Sequence, residues 1–174
     1  EGKHFLVKNK TQVKPIVPFD SIAAIYDDQF THTRTGYLQR QLVYQHLGQL
    51  LARSSITRIL ELNCGTGADA IWLAKKGYHV LATDISTDMI KVAKAKASQL
   101  PDEVKKRLTF KTLAVQGIDQ LTKEEPFDLV FSNFGGLNCI SPEEMQKLSA
   151  QLLKILTPTG NLAFVIMSSF CWWE

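Results

Sequence analysis

Five short apolar runs alternate along the chain with segments whose apolar residues recur every three or four positions. Ile59–Leu62, His79–Asp84, Leu108–Leu113, Phe127–Asn133 and Asn161–Met167 read as β-strands, bounded by glycine, proline or acidic residues. Between them lie helical patterns: one opening at Ile71-Trp72-Leu73-Ala74 and closed by Gly77, one over Thr87–Leu100 broken by Pro101, and one from Ser141 to about Leu156. The last starts with an N-cap serine, Pro142 at the first helical position and Glu143 and Glu144 in the first turn, and Thr157-Pro-Thr-Gly160 turns the chain after it. Ahead of the strands, Tyr37 to Ala52 places Tyr37, Leu38, Leu42, Leu47, Leu50 and Leu51 near helical spacing. The run from Phe19 to Phe30 predicts a short helix with Asp20 or Ser21 as N-cap and Ile22, Ile25 and Tyr26 on one face. Strand–helix alternation of this kind is an α/β pattern.

The first strand breaks into Glu61-Leu62-Asn63-Cys64-Gly65-Thr66-Gly67, and the helix follows at once. Glycine at such a turn supplies unusual backbone angles and lets a ligand lie against the main chain, so the turn is a nucleotide-binding candidate. Gly65-x-Gly67-x-x-Ala70, with Asp84 further on, also satisfies the loose dinucleotide fingerprint. Glu61 argues against that ligand. A pyrophosphate at this turn would face a carboxylate, and two like charges about 4 Å apart near a surface cost roughly 4 kcal/mol. A cationic ligand reverses the sign of the term.

Glu61-x-Asn63-x-Gly65-x-Gly67, followed by Asp84-Ile85-Ser86-x-x-Met89-Ile90, resembles the class I S-adenosylmethionine-dependent methyltransferases, from about Phe19 to the end of the chain. The resemblance implies a Rossmann-like doubly wound, mostly parallel sheet. The family's sheet normally has two more strands, so this one is expected to stop early, after the fifth, and to leave an edge exposed. It implies S-adenosyl-L-methionine as cofactor, held by Tyr26, Glu61, Asn63, Cys64, Gly65, Thr66, Gly67, Asp84, Ile85, Met89, Ala114, Val115, Asn133 and Phe134. Within that set Tyr26 belongs to a lid that reaches the methionine end, or else caps the core with its hydroxyl in water. Asp84 accepts the ribose hydroxyls, or else caps a helix. Asn63 replaces the family's first glycine, and asparagine tolerates left-handed angles. Ala114 stands where an acidic residue often meets the adenine amine, so adenine is expected between Ile85 and Val115. Phe134-Gly135-Gly136 resembles the motif between methyl group and acceptor, and lacks the Asn-Pro-Pro-Tyr form used on base amines.

Composition adds bounds. The chain has 174 residues, enough for one domain over 19–174 behind a polar, basic arm at 1–18. A net charge of +3 with mixed signs is too mild to argue for nucleic acid. Three cysteines (Cys64, Cys139 and Cys171) without C-x-x-C spacing make neither a disulfide framework nor a zinc site and suit a reducing compartment. No stretch approaches the roughly 20 apolar residues of a membrane span, so a cytoplasmic enzyme is expected, with no membrane partner. The function expected is methyl transfer to a small-molecule acceptor. An S-adenosylmethionine-binding protein without turnover and a nicotinamide-dependent oxidoreductase are the competing classes. No residue announces itself as a general base; Arg34, Arg40 and His46 read as surface charge and His32 as a solvated loop histidine. The acceptor cannot be read from these residues, because specificity in this fold resides in the lid and the late strands.

Overall fold

The computed structural model describes residues 19–53 and 55–168. The predicted arm and Cys171, Trp172 and Trp173 lie outside the described residues. Five strands, β1 (Arg58–Leu62), β2 (His79–Asp84), β3 (Leu108–Thr112), β4 (Phe127–Ser132) and β5 (Leu156–Phe164), form one sheet in the order β3-β2-β1-β4-β5. Every pairing is parallel. The order reverses between β1 and β4, so the crevice beyond their carboxyl ends is the topological switch point where open α/β sheets bind ligands.

Parallel strands covered on both faces should be largely apolar, and in β1 Ile59, Leu60 and Leu62 are fully buried, with Glu61 the buried exception. Ile59 belongs to a core with residues of α1 (Arg34–Arg53), α2 (Ala68–Lys75) and α3 (Thr87–Ser98), among them Leu47, Leu51, Leu73, Ile90 and Ala93. Leu60 and Leu62 pack on the opposite face with Ile118, Leu148, Leu152 and Ile155. Those come from the 3-10 segment Val115–Leu121 and from α5 (Pro142–Ile155), as Pro101 leads into a single further turn, α4 (Asp102–Lys105). Alternate residues of one strand thus anchor two layers.

Three boundaries differ from expectation. Phe19–Phe30 is not one helix but a 3-10 turn (Asp20–Ile22) and a π-helical turn (Asp27–Thr31). Neither Asp20 nor Ser21 caps it; Phe19 holds that position with φ of 76°, Asp20 is bonded elsewhere, and Ile25 is exposed. In α1 only the later part of the expected stripe is buried. Tyr37, Leu38 and Leu42 are exposed, whereas Leu47 and Leu51 enter the core and Tyr44 stacks on Trp72 at 3.9 Å. In β5, Phe127 pairs with Leu156 and Leu129 with Asn161, so the predicted turn over 157–160 bulges out within the strand. The strand then ends at Phe164, because Val165 and Met167 bond to the loop after β4: Gly135 N donates to Val165 O at 3.1 Å and Met167 N to Asn138 Oδ1 at 3.0 Å.

The loops after β1 and β4 interlock at the switch point. Asn63 adopts the left-handed angle expected of it, with φ of 55°. Its side chain fills the space a Cβ on Gly136 would need, with Asn63 Cβ and Nδ2 both 2.6 Å from that position. Gly136→Ala is therefore expected to overpack the junction by about 1–3 kcal/mol, lowering the melting temperature by roughly 2–10 °C. Asn63→Gly in the same chain should recover most of the loss. A thermal double-mutant cycle with purely additive effects would refute the interlock.

Candidate functional site

At the switch point lies a cavity of about 280 Å³, walled by the loops after β1, β2, β3 and β4 and roofed by the segment before α1. The loop after β1 owes its shape to Asp84. One carboxylate oxygen, Oδ2, accepts from Gly65 N at 2.8 Å and the other, Oδ1, from Ser86 N at 2.8 Å. Burial pushes the Asp84 carboxyl up, and those two amides oppose the rise. Asp84 is not a helix cap, since Ser86 caps α3 by accepting from Met89 N at 3.0 Å. With one bond on each oxygen, Asp84 keeps acceptor capacity on a residue that lines the cavity.

A second carboxylate ties three elements together. Asp69, at the start of α2, accepts at Oδ1 from Arg40 Nε and Tyr44 Oη of α1, both at 2.7 Å, and at Oδ2 from Asn133 Nδ2 at 2.9 Å. Asn133 in turn accepts from Phe134 N at 2.8 Å, holding Phe134 at φ of 49°. The Arg40 guanidinium lies 4.6 Å from the centre of the Phe134 ring. Its Nη1 is buried and has no partner.

Glu61 sits beside this network, 1 % exposed, with Oε2 buried and unpartnered. Burial pushes its carboxyl well above the usual range; Asp69 and Asp84 push the same way, and Arg40 opposes them. The site therefore carries three acidic side chains and one cation; among its charged groups the leftover atoms are one carboxylate oxygen and one guanidinium nitrogen, beside the buried, unpartnered amide Nδ2 of Asn63. That combination suits a ligand bearing both a positive and a negative group.

The roof is held from outside the cavity. Asp20 bonds Ser86 Oγ. Asp27 accepts from Thr66 Oγ1 and from Lys96 Nζ, each at 2.6 Å. Burial would raise the Asp27 carboxyl, but those partners bring it below its ordinary value. Ring contacts continue from Phe19 to Tyr26 (6.3 Å), Phe30 (5.7 Å) and Phe134 (5.0 Å), closing the roof onto the loop after β4. Opposite, Ile85, Met89, Val115 and Ile140 make an apolar end.

Of the expected cofactor residues, Tyr26, Asn63, Cys64, Gly65, Thr66, Asp84, Ile85, Met89, Val115, Asn133 and Phe134 line the cavity. Glu61, Gly67 and Ala114 do not. Glu61 lies wholly inside, behind the lining. Gly67 serves packing: a Cβ there would stand 2.7 Å from the Phe110 ring and 2.9 Å from Ala93. Ala114 precedes the 3-10 segment with its methyl off the wall. His32 is a solvated side chain paired with Asp28 at 3.5 Å.

Sequence reasoning missed Asp69, and it misread Arg40 as surface charge. The signal was helical spacing: Arg40 stands four residues before Tyr44 and seven before Leu47, on the buried face of α1. Ala68, Gln116, Cys139 and Ile140 also line the cavity without having been singled out for it, and Phe19 and Gly136 line it as parts of the lid segment and of the glycine motif after β4.

Comparison with known proteins agrees with this architecture. The structure of the DhpI-SAM-HEP complex superposes with a TM-score of 0.66 at 20% identity, over 87% of this chain and 63% of that one. The glycopeptide N-methyltransferase MtfA complexed with (S)-adenosyl-L-methionine gives 0.63 at 19% identity, over 73% and 55%. Among curated proteins, a putative methyltransferase of Geobacillus sp. (strain WCH70) is 30% identical over 119 residues, 68% of this chain and 45% of that protein. The demethylmenaquinone methyltransferase of Clavibacter sepedonicus is 29% identical over 151 residues, 87% and 57% respectively. The chain thus spans about half the length of these two relatives. Residues 59–160, more than half of the chain, match the family described as methyltransferase domain, and the chain belongs to that family.

Proposed function

We propose that this domain binds S-adenosyl-L-methionine and directs its methyl group to a small-molecule acceptor. The observation that carries the reading is the pair of buried, unpartnered atoms of opposite sign, Glu61 Oε2 and Arg40 Nη1. The cofactor's amino-acid end brings an ammonium and a carboxylate, one for each. Asp84 takes the ribose hydroxyls with the acceptor capacity left on its two oxygens, and Ile85, Met89 and Val115 take the adenine ring by apolar contact. A dinucleotide would instead set a pyrophosphate beside Glu61, Asp69 and Asp84, against the roughly 4 kcal/mol of each close like-charge pair.

The bound cofactor supplies an activated methyl group for in-line displacement. What the chain contributes is alignment and exclusion of water, a proximity effect worth up to about 7–11 kcal/mol. Phe19, Tyr26 and Phe30 cover the cavity, and Asn133 fixes the turn at Phe134 beside it. Tyr26 keeps its proton, since burial raises its pKa above the ordinary value, and so acts as a hydrogen-bond donor. Burial likewise pushes the Cys64 thiol up and leaves it inert. Curated relatives include the Clavibacter demethylmenaquinone methyltransferase and a malonyl-[acyl-carrier protein] O-methyltransferase of Bacillus cereus, 31% identical over 84% of this chain, which supports acyl or quinone-like acceptors over nucleic acid. No helix of the described residues is long and apolar enough to cross a membrane, and we place the activity in the cytoplasm.

Calorimetric titration with S-adenosylhomocysteine is expected to give micromolar-range binding, and a flat titration of the folded protein would reject the reading. Glu61 allows a sharper test. Its pKa is raised in the empty protein, so its contribution to stability is present below the ordinary carboxylate value and is lost as pH rises toward the raised one. Glu61→Gln should therefore flatten that decline and raise the melting temperature at neutral pH, while weakening S-adenosylhomocysteine roughly 10- to 100-fold. Since the wild-type carboxyl must ionise to meet the ammonium, binding should release protons, read from calorimetry in buffers of different ionisation enthalpy. Arg40→Met should weaken S-adenosylhomocysteine by a similar factor yet leave 5′-methylthioadenosine, which lacks the amino acid, unchanged. Equal losses for both ligands would remove Arg40 from carboxylate recognition.

A further inference from the structure

The roof has little apolar burial to hold it down. Neither Asp20–Ile22 nor Asp27–Thr31 contains a buried residue, Ile25 is exposed, and Ala23 is the buried apolar side chain between the two turns. A segment with few buried apolar contacts opens locally with ease, so a small number of directed bonds decides whether this one stays closed. Asp20 bonds Ser86 Oγ at one end. At the other, three side chains close a ring: Thr66 Oγ1 donates to Asp27 Oδ1 at 2.6 Å, and Lys96 Nζ donates to Asp27 Oδ2 at 2.6 Å and to Thr66 Oγ1 at 3.3 Å.

Each member of the ring stands on a different element. Asp27 belongs to the roof, Lys96 to the last turn of α3, and Thr66 to the turn between Gly65 and Gly67, whose φ values are 52° and 75°. The Lys96 side chain is 29% exposed and that of Asp27 16%, so solvent screens their attraction less than it would at the surface. Burial raises the Asp27 carboxyl, but its bonds to Lys96 and Thr66 outweigh that and leave it ionised at neutral pH. Lys96 does not line the cavity. It reaches the site through Asp27 and Thr66.

We infer that Lys96 is a positioning residue that latches the roof to the glycine turn and thereby sets the rate at which the cofactor enters and leaves. The exchange role rests on the cofactor reading above; the latch itself does not. Because the roof closes over the empty cavity, it must lift for entry as well as for release, and a weaker latch speeds both steps. Hydrogen exchange in the protein without ligand tests the latch. The amides of Gln29 and His32 bond within the roof to Ile25 O and Asp27 O. In Lys96→Met, and in Asp27→Asn, which keeps an acceptor for Thr66 Oγ1, those amides should exchange roughly three- to tenfold faster while amides of β1 and β4 keep wild-type rates. Lys96→Arg should stay near wild type. Binding kinetics of S-adenosylhomocysteine on immobilised protein test the exchange role: association and dissociation should both rise roughly three- to tenfold in Lys96→Met and Asp27→Asn, with affinity changing less than either rate, and the double variant should be no faster than the single ones. Unchanged roof exchange, or the same acceleration in Lys96→Arg, overturns the latch. Faster dissociation without faster association, as expected of a residue that merely shapes the site, overturns the exchange role. A wild type that does not bind S-adenosylhomocysteine rejects the cofactor reading and the exchange role with it, and hydrogen exchange still decides the latch.

Discussion

A carboxylate shut away from water must find its hydrogen bonds in protein, and Asp69 finds three, from α1 twice and from the end of β4 once. Leaving such a group unmatched costs more than a surface ion pair returns, so the three donors are held where Asp69 needs them. The consequences spread outward. Arg40 is drawn to the crevice with part of its guanidinium unused, Asn133 is turned so that its carbonyl end grips Phe134 N, and Tyr44 is set for its stack on Trp72. The position of α1 over the sheet and the shape of the loop after β4 are thus fixed by a single residue of α2.

Asp84 does the same for the loop after β1, with a different balance. Both its oxygens hold backbone amides, which secures Gly65 at φ of 52° and the approach to α3. A group that organises its own loop before any ligand arrives is preorganised, and what it offers a ligand is leftover acceptor capacity at little further ordering cost. The structural role of Asp84 and the ribose-binding role proposed for it are therefore compatible.

The strands, their order along the chain and the residues at their carboxyl ends were legible in the sequence because each is a local pattern. β2 ends at Asp84 as the run His79–Asp84 implies, and Asn63 takes the left-handed angle its residue type allows. What was not legible is contact across distance. Arg40 meets Asp69 across 29 positions, and nothing in the neighbourhood of either residue names the other. Gly67 shows the reverse failure. Its motif suggests ligand contact, yet Phe110 and Ala93, on other elements, decide that it is a packing glycine. Tyr37, Leu38 and Leu42 have the periodicity of a buried face, but only the later turns of α1 enter the core, so spacing alone overstates their burial.

Glu61 is where stability and ligand recognition pull apart. A buried carboxyl hemmed in by two other acids is stabilised as its neutral form. An apolar or amide side chain in the same space would fold at least as well. Under the proposed function a cationic ligand resolves this, because it ionises the group, pairs the stranded Oε2 and offsets the repulsion from Asp69 and Asp84 together. Arg40 opposes that repulsion only in part: its Nε is bonded to Asp69, and Glu61 Oε2 stays without a partner. On the reading proposed above, that unfavourable charge balance is the recognition device: a ligand relieves it by bringing positive charge to Glu61 and negative charge to the unused nitrogen of Arg40.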